Sequence, residues 1–330
     1  MRYASLVLVG LFFLGCGDDD ENSGSNNNGV GSSGPPGDPV SVENGGSCLA
    51  PVITPATFYD QANPDHPTGF TTTNDTVSDP NTGRMWQRHV DPTTFTTNPM
   101  DGNIAEVEAA MAFCEGLSLA GFDDWRLPSL NELMSILDSN EGHPSIDSTA
   151  FPDTPEDNNF WTSSREQWNE LYFAVNFGIG GVVWGPDLGW DDIYARCVRT
   201  EIEIALPAER YTVHDDNSLL DNETGLVWEA TTSETLYASP ADAQAYCDRL
   251  NLAGCDGWRV PNAKEMTTLI EPEPTTPYTT LDPEYFTTGT AWIWSTSPSG
   301  GGFLAMAYQG GAIYPNIQAD GAGVRCVVSR

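Results

Sequence analysis

Two periodicities run along this chain, and each occurs twice. Ile104, Val107, Met111, Cys114 and Leu117 recur at three- and four-residue spacing, the apolar stripe of an amphipathic helix. Asn103, with Glu106 three residues on, supplies a capping box at its start. Further along, Ser239 followed by Pro240 marks a second such start. A shorter helix opens at Ser129-x-x-Glu132, with Leu130, Leu133, Met134 and Leu137 on one face, and again at Asn262-x-x-Glu265. Ahead of each helix pair, D-x-x-T-G-x-x-W predicts a hairpin turning at Thr-Gly. Behind each pair the chain is rich in Trp, Tyr, Phe, Val and Gly, which predicts short antiparallel strands with long loops. Early helices and late strands make an α+β fold, each unit having two helices and a small antiparallel sheet.

Self-comparison ties these elements into a duplication. Asp79 to Trp86 matches Asp221 to Trp228, and Phe113-Cys114 matches Tyr246-Cys247. Leu119 to Pro128 matches Leu252 to Pro261, Phe160-Trp161 matches Ile293-Trp294, and Arg196-Cys197-Val198 matches Arg325-Cys326-Val327. The offsets drift from 142 through 133 to 129 in unchanged order, as expected for duplicated domains with loops of different length. The boundaries read as 70–200 and 207–330, both of ordinary domain size.

The first residues are different in kind. Met1-Arg2 precedes an apolar run from Ala4 to Leu14, too short for the about 20 residues of a membrane span and of signal-peptide length. It ends in Phe13-Leu14-Gly15-Cys16, which resembles the bacterial lipobox. That resemblance implies cleavage of a signal at residues 1–16 and attachment to a membrane through a lipid on Cys16. Residues 17–69 read as an acidic Gly/Ser/Asn tether that lacks the apolar surface to fold. Gly17 rather than Asp after the cysteine favours the bacterial outer membrane or cell surface.

Charge and cysteines narrow the picture. The net charge is −34 and Lys264 is the only lysine, a balance that argues against nucleic acid and polyanions. Beyond Cys16 there are six cysteines, an even set in an exported chain. Cys114 and Cys197 occupy the places of Cys247 and Cys326, so one bridge per unit from first helix to last strand is the simplest pairing. Each would close a long loop and contribute about 2–4 kcal/mol. Cys48 and Cys255 remain, either as a third bridge stapling the tether to the second unit or as two free thiols.

Together, the D-x-x-T-G-x-x-W block, the helix cysteine, G-x-x-x-W-R-L/V-P, the W-S/T-S block and the terminal R-C-V resemble the Legionella collagen-like protein C-terminal (Lcl C-terminal) domain family, twice over. The Trp-Arg-Leu-Pro element before a helix also looks like the C-type-lectin-like fold, and formylglycine-generating enzymes share a similar turn. The family resemblance implies an adhesive, carbohydrate- or surface-binding role. The family's adhesin binds sulfated glycosaminoglycans, and that ligand does not carry over to a chain this acidic, because like charges repel. The second unit also ends Cys326-Val327-Val328 where the first ends Cys197-Val198-Arg199, so an arginine that could serve a binding surface is lost.

No catalytic constellation emerges. His66, His89, His143 and His214 hold no equivalent places and no metal-ligand spacing, so no metal or cofactor is assigned, and the chain reads as a non-enzyme. Trp125 and Trp258 read as core, Arg126 and Arg259 as partners of a carboxylate under the second helix, and Glu132 and Glu265 as caps and then as those partners. Binding belongs in the divergent loops. In the first unit these carry Trp168, Trp184, Trp190, Asp187, Asp191 and Asp192; in the second, Tyr308, Tyr314, Asn316 and Gln318. Aromatics beside carboxylates suit sugar stacking, and they would suit Ca²⁺ although no calcium-loop motif supports it. Three readings stand: a glycan- or polymer-binding envelope lipoprotein, an envelope lipoprotein with protein partners, and an enzyme akin to the formylglycine-generating oxidases.

Overall fold

A computed structural model describes residues 66–96, 104–166, 171–184, 192–202, 207–270, 281–287, 290–299, 302–308, 310–315 and 321–329. The signal, lipidation and tether assignments, including Cys16 and Cys48, lie outside these residues, as does Asn103.

The first repeat opens with β1 (Thr71–Thr72), β2 (Thr76–Asp79) and β3 (Arg84–Gln87), followed by β4 (Phe95–Thr96). Helices α1 (Ile104–Glu115) and α2 (Leu130–Ser135) come next. Strands β5 (Asn159–Glu166), β6 (Leu171–Asn176), β7 (Gly181–Trp184), β8 (Asp192–Ile193) and β9 (Val198–Thr200) complete it. The second repeat runs β10 (Tyr211–Val213), β11 (Ser218–Asp221), β12 (Val227–Glu229), α3 (Pro240–Cys247) and α4 (Ala263–Thr268). It ends with β13 (Trp292–Ser299), β14 (Gly302–Ala307), β15 (Ile313–Pro315) and β16 (Val327–Val328).

The hairpin block folds for a local reason. Asp79 Oδ1 accepts the Asn81 N–H at 2.9 Å and Oδ2 accepts the Thr82 hydroxyl at 2.8 Å. Gly83 then turns at φ +64°, a region glycine enters without penalty. Asp221 and Gly225 repeat the device. The turn sends Trp86 and Trp228, both 0 % exposed, into the core. In each copy the last strand closes the hairpin, giving four-stranded sheets in the orders β1-β2-β3-β9 and β10-β11-β12-β16.

Disulfides join Cys114 to Cys197 and Cys247 to Cys326, one per repeat, across separations of 83 and 79 residues. Cys255 is also disulfide-bonded and is fully buried in the second repeat's own cluster.

The two repeats are not separate bodies. Each repeat has its own small antiparallel sheet, as the sequence reading places it, and in addition their second halves fuse into one six-stranded antiparallel sheet, β13-β14-β15-β7-β6-β5. The seam is β15 against β7, where Ile313 pairs with Val182. Helices α2 and α4 pack together across it, and a single hydrophobic cluster draws on both repeats, from Leu133 and Phe177 to Met266 and Leu304. The buried ammonium of Lys264 donates to the Ser135 carbonyl at 3.0 Å, satisfying an orphan group at the C-terminal end of α2. Ser299 Oγ donates to the Ile179 carbonyl at 2.7 Å. Both repeats lie in one compact unit, Ser41–Arg330.

Candidate functional site

The residues shared by both copies build a frame. At the start of α2, the Ser129 hydroxyl and the Glu132 carboxylate cap each other's backbone, and Asn262 with Glu265 do the same at α4. Those carboxylates are also forked by arginine. Arg126 reaches Glu132 at 2.7 and 2.6 Å, and Arg259 reaches Glu265 at 2.8 and 2.5 Å. Arg84 adds a 2.7 Å bond to Glu132; Leu226 holds its place in the second repeat. Burial pushes the Glu132 carboxyl up, but the Arg126 bonds and charge prevail and hold it down at about 2. Trp125 and Trp258 are buried, their indoles donating to the Leu119 carbonyl at 3.3 Å and the Cys255 carbonyl at 3.0 Å.

The arginine of Arg-Cys-Val is part of this frame, although reading the sequence gives it no role. Arg196 is fully buried, donating to the Gln87 and Arg88 carbonyls at 2.9 Å each and to the Thr154 hydroxyl at 2.8 Å. Its guanidinium lies 4.8 Å from the Phe151 ring centroid. Arg325 repeats this on the carbonyls of Glu229, Ala230 and Thr287, and over Phe286. Burial lowers both guanidinium pKa values to about 10, so both stay charged at neutral pH. Each guanidinium ties the chain leaving the hairpin to the segment that precedes the last strand. Backbone acceptors leave no side-chain signature, so only the repetition of Arg-Cys-Val could have signalled them.

Where the copies differ, a device is exchanged. Arg199 forks Asp124 at 2.7 and 3.0 Å and lies 3.9 Å over the Phe122 ring. It is therefore engaged with its own repeat rather than presented to a ligand. In the second repeat the three positions are Val328, Gly257 and Cys255, and the disulfide-bonded Cys255 replaces the ion pair. Glu229 likewise stands where the first repeat has Gln87. Both accept the N–H of the bridged cysteine at 3.2 Å, but Glu229 also accepts the Tyr246 hydroxyl at 2.5 Å. Burial raises the Glu229 carboxyl and the Tyr246 phenol above their ordinary values.

The ligand candidates are placed in part. Asp192 is exposed on β8, where its carboxylate accepts the Thr96 hydroxyl at 2.6 Å. Tyr308 is half-buried against the core shared by the repeats. Tyr314 is half-buried on β15 and packs against the first repeat's smaller cluster, across the seam. Trp184 lies on the backbone of β7, and its side chain is outside the described residues. Trp168, Asp187, Trp190, Asp191, Asn316 and Gln318 also lie outside them. Tyr314 therefore serves the seam.

One grouping of metal-ligating side chains was invisible in the sequence because its first member is 72 positions from its second. His66 Nδ1 lies 2.6 Å from Asp138 Oδ2, and Glu141 brings a third donor atom, all within 4.8 Å of one another. Among the described residues no helix is long and apolar enough to cross a membrane.

The Lcl C-terminal domain matches this chain over residues 75–199 and again over residues 217–328. No curated protein matches it. Each matched segment holds one hairpin, two helices and one disulfide of the frame. The two segments cover most of the sequence, and the chain belongs to the Lcl C-terminal domain family, with two copies of the domain in tandem.

Proposed function

We propose that this protein is an exported, lipid-anchored binding protein of the bacterial outer membrane or cell surface. It is non-catalytic and uses the divergent loops of its paired domains to hold a glycan or another extracellular polymer. One observation carries this reading: the arginines and glutamates that both copies share are engaged within the frame. Arg126 and Arg259 hold the capping glutamates, while Arg196 and Arg325 hold backbone carbonyls. An activity common to both copies would draw on shared charged groups such as these, and these four arginines and two glutamates have structural work. Ligand contact then falls to loop residues such as Trp168, Trp190 and Asp187, where an aromatic face and a carboxylate suit a sugar ring and its hydroxyls. The acidic charge favours neutral or cationic polymers over sulfated ones.

A panel of immobilised polysaccharides, probed with the full-length chain with and without Ca²⁺, tests this. Binding to at least one neutral or cationic polymer, reduced by Trp168→Ala or Trp190→Ala, is expected. Failure to bind any polymer, together with reproducible cross-linking to one envelope protein in cells, would replace the polymer by a protein partner.

A further inference from the structure

We propose that His66, Asp138 and Glu141 form a binding site for a divalent transition-metal ion of the zinc type. Asp138 follows α2, and its side chain is fully buried. Its Oδ1 accepts the N–H groups of Asn140 at 3.0 Å and Glu141 at 3.2 Å, which closes a turn and fixes the carboxylate. The Asp138 backbone N–H is anchored on the Ser145 carbonyl at 2.9 Å. Oδ2 meets the His66 imidazole at 2.6 Å. That contact alone would be an ordinary histidine–carboxylate pair.

Glu141 distinguishes this group from an ordinary pair. Its carboxylate is exposed and could extend into water, yet it brings a ligand atom within 4.8 Å of both others. Two carboxylates and one imidazole converging on a chain of net charge −34 offer three donor atoms in a field that attracts a divalent cation. His89 provides an internal comparison: it pairs with Asp153 at 3.0 Å on the surface, and among the described residues no third ligand joins them.

The donor set selects the ion. One imidazole nitrogen and two carboxylate oxygens suit zinc, whose open sites use three protein ligands and a water. Calcium takes six to eight oxygens and gains little from imidazole. The turn that holds Asp138 acts as an outer shell, presenting the ligand oxygen in one orientation. A metal here would clamp the segment entering the first repeat onto the loop behind α2.

The test uses the full-length chain and zinc, with calcium in excess to occupy oxygen-only sites. Wild type should bind one zinc stoichiometrically by calorimetry. His66→Ala and Glu141→Gln, both at exposed positions, should each weaken it on the order of tenfold or more. His89→Ala should leave it unchanged. Circular dichroism of each variant checks that the fold is intact. No stoichiometric uptake by wild type, an unchanged affinity in either the His66 or the Glu141 variant, or an equal loss in His89→Ala overturns the site.

Discussion

Val182 and Ile313 pair with each other across the seam and hold the same place in the two repeats. Register establishes the equivalence. Trp161 pairs with Ala174 in the first repeat as its counterpart Trp294 pairs with Ala305 in the second. One strand on, Val175 meets Val182 and Met306 meets Ile313. When equivalent residues of antiparallel strands pair, the contact is self-complementary, as in a twofold-symmetric dimer. The tandem therefore places inside one chain the kind of interface that two subunits usually make.

The seam depends on Gly181, for steric rather than conformational reasons. A Cβ there would meet the Ile313 carbonyl oxygen at 2.3 Å, a backbone atom that cannot swing away. Gly181→Ala should lower unfolding stability by about 1–3 kcal/mol through overpacking, and Gly181→Val by more. Urea denaturation checks this. An alanine variant as stable as wild type would mean that the strands separate there easily.

Lys264 gives a chemical probe of the same region. It is the only lysine, it is 2 % exposed, and it lies at the α2–α4 contact. An amine-acylating reagent should leave its side chain unmodified in the folded protein and modify it fully in denaturant. Peptide mass spectrometry reads the difference. Rapid labelling under native conditions would show that the contact opens.

Glu132 predicts an acid sensitivity. Its folded pKa of about 2 lies below the ordinary 4.5, so its stabilising contribution is complete above about 4.5 and is lost as pH falls toward 2. Glu132→Gln should be less stable than wild type at pH 7, by about 2–3 kcal/mol, since it leaves two guanidinium groups without their carboxylate. The gap should close as wild type is acidified. Thermal unfolding across that range measures it.

Glu229 predicts the opposite slope. Burial raises its pKa, so its relative contribution is greatest below the ordinary carboxylate value and falls as pH rises through the folded value. Glu229→Gln restores the residue type that Gln87 provides in the first repeat, with the Tyr246 oxygen available to accept from the new amide. The variant should match wild type in acid and exceed it at neutral pH. A variant less stable than wild type at pH 7 would show that the ionised carboxylate is the favoured partner of Cys326 and Tyr246.

Much of the frame was legible because it is local and duplicated. The Ser129–Glu132 and Asn262–Glu265 boxes span one helical turn, the Asp-Thr-Gly turn is written in adjacent residues, and equivalent cysteines point to equivalent bridges. The seam was not legible. Gly181–Trp184 and Ile313–Pro315 share no repeated block, and the choice of which strand edges meet depends on packing between distant segments. The exchange of the Asp124–Arg199 pair for a disulfide at Cys255 could be read only after Phe122 and Arg199 were seen in contact. The candidate ligand loops were identified by their divergence, and of their residues Tyr314 proved to pack against the neighbouring repeat.

The central structural claim is that two family domains are joined into one folded body by a shared sheet and core. Scanning calorimetry of the full-length chain tests it directly. A single transition whose calorimetric and van't Hoff enthalpies agree is the predicted result. Two resolved transitions, each of about half the total enthalpy, would contradict it.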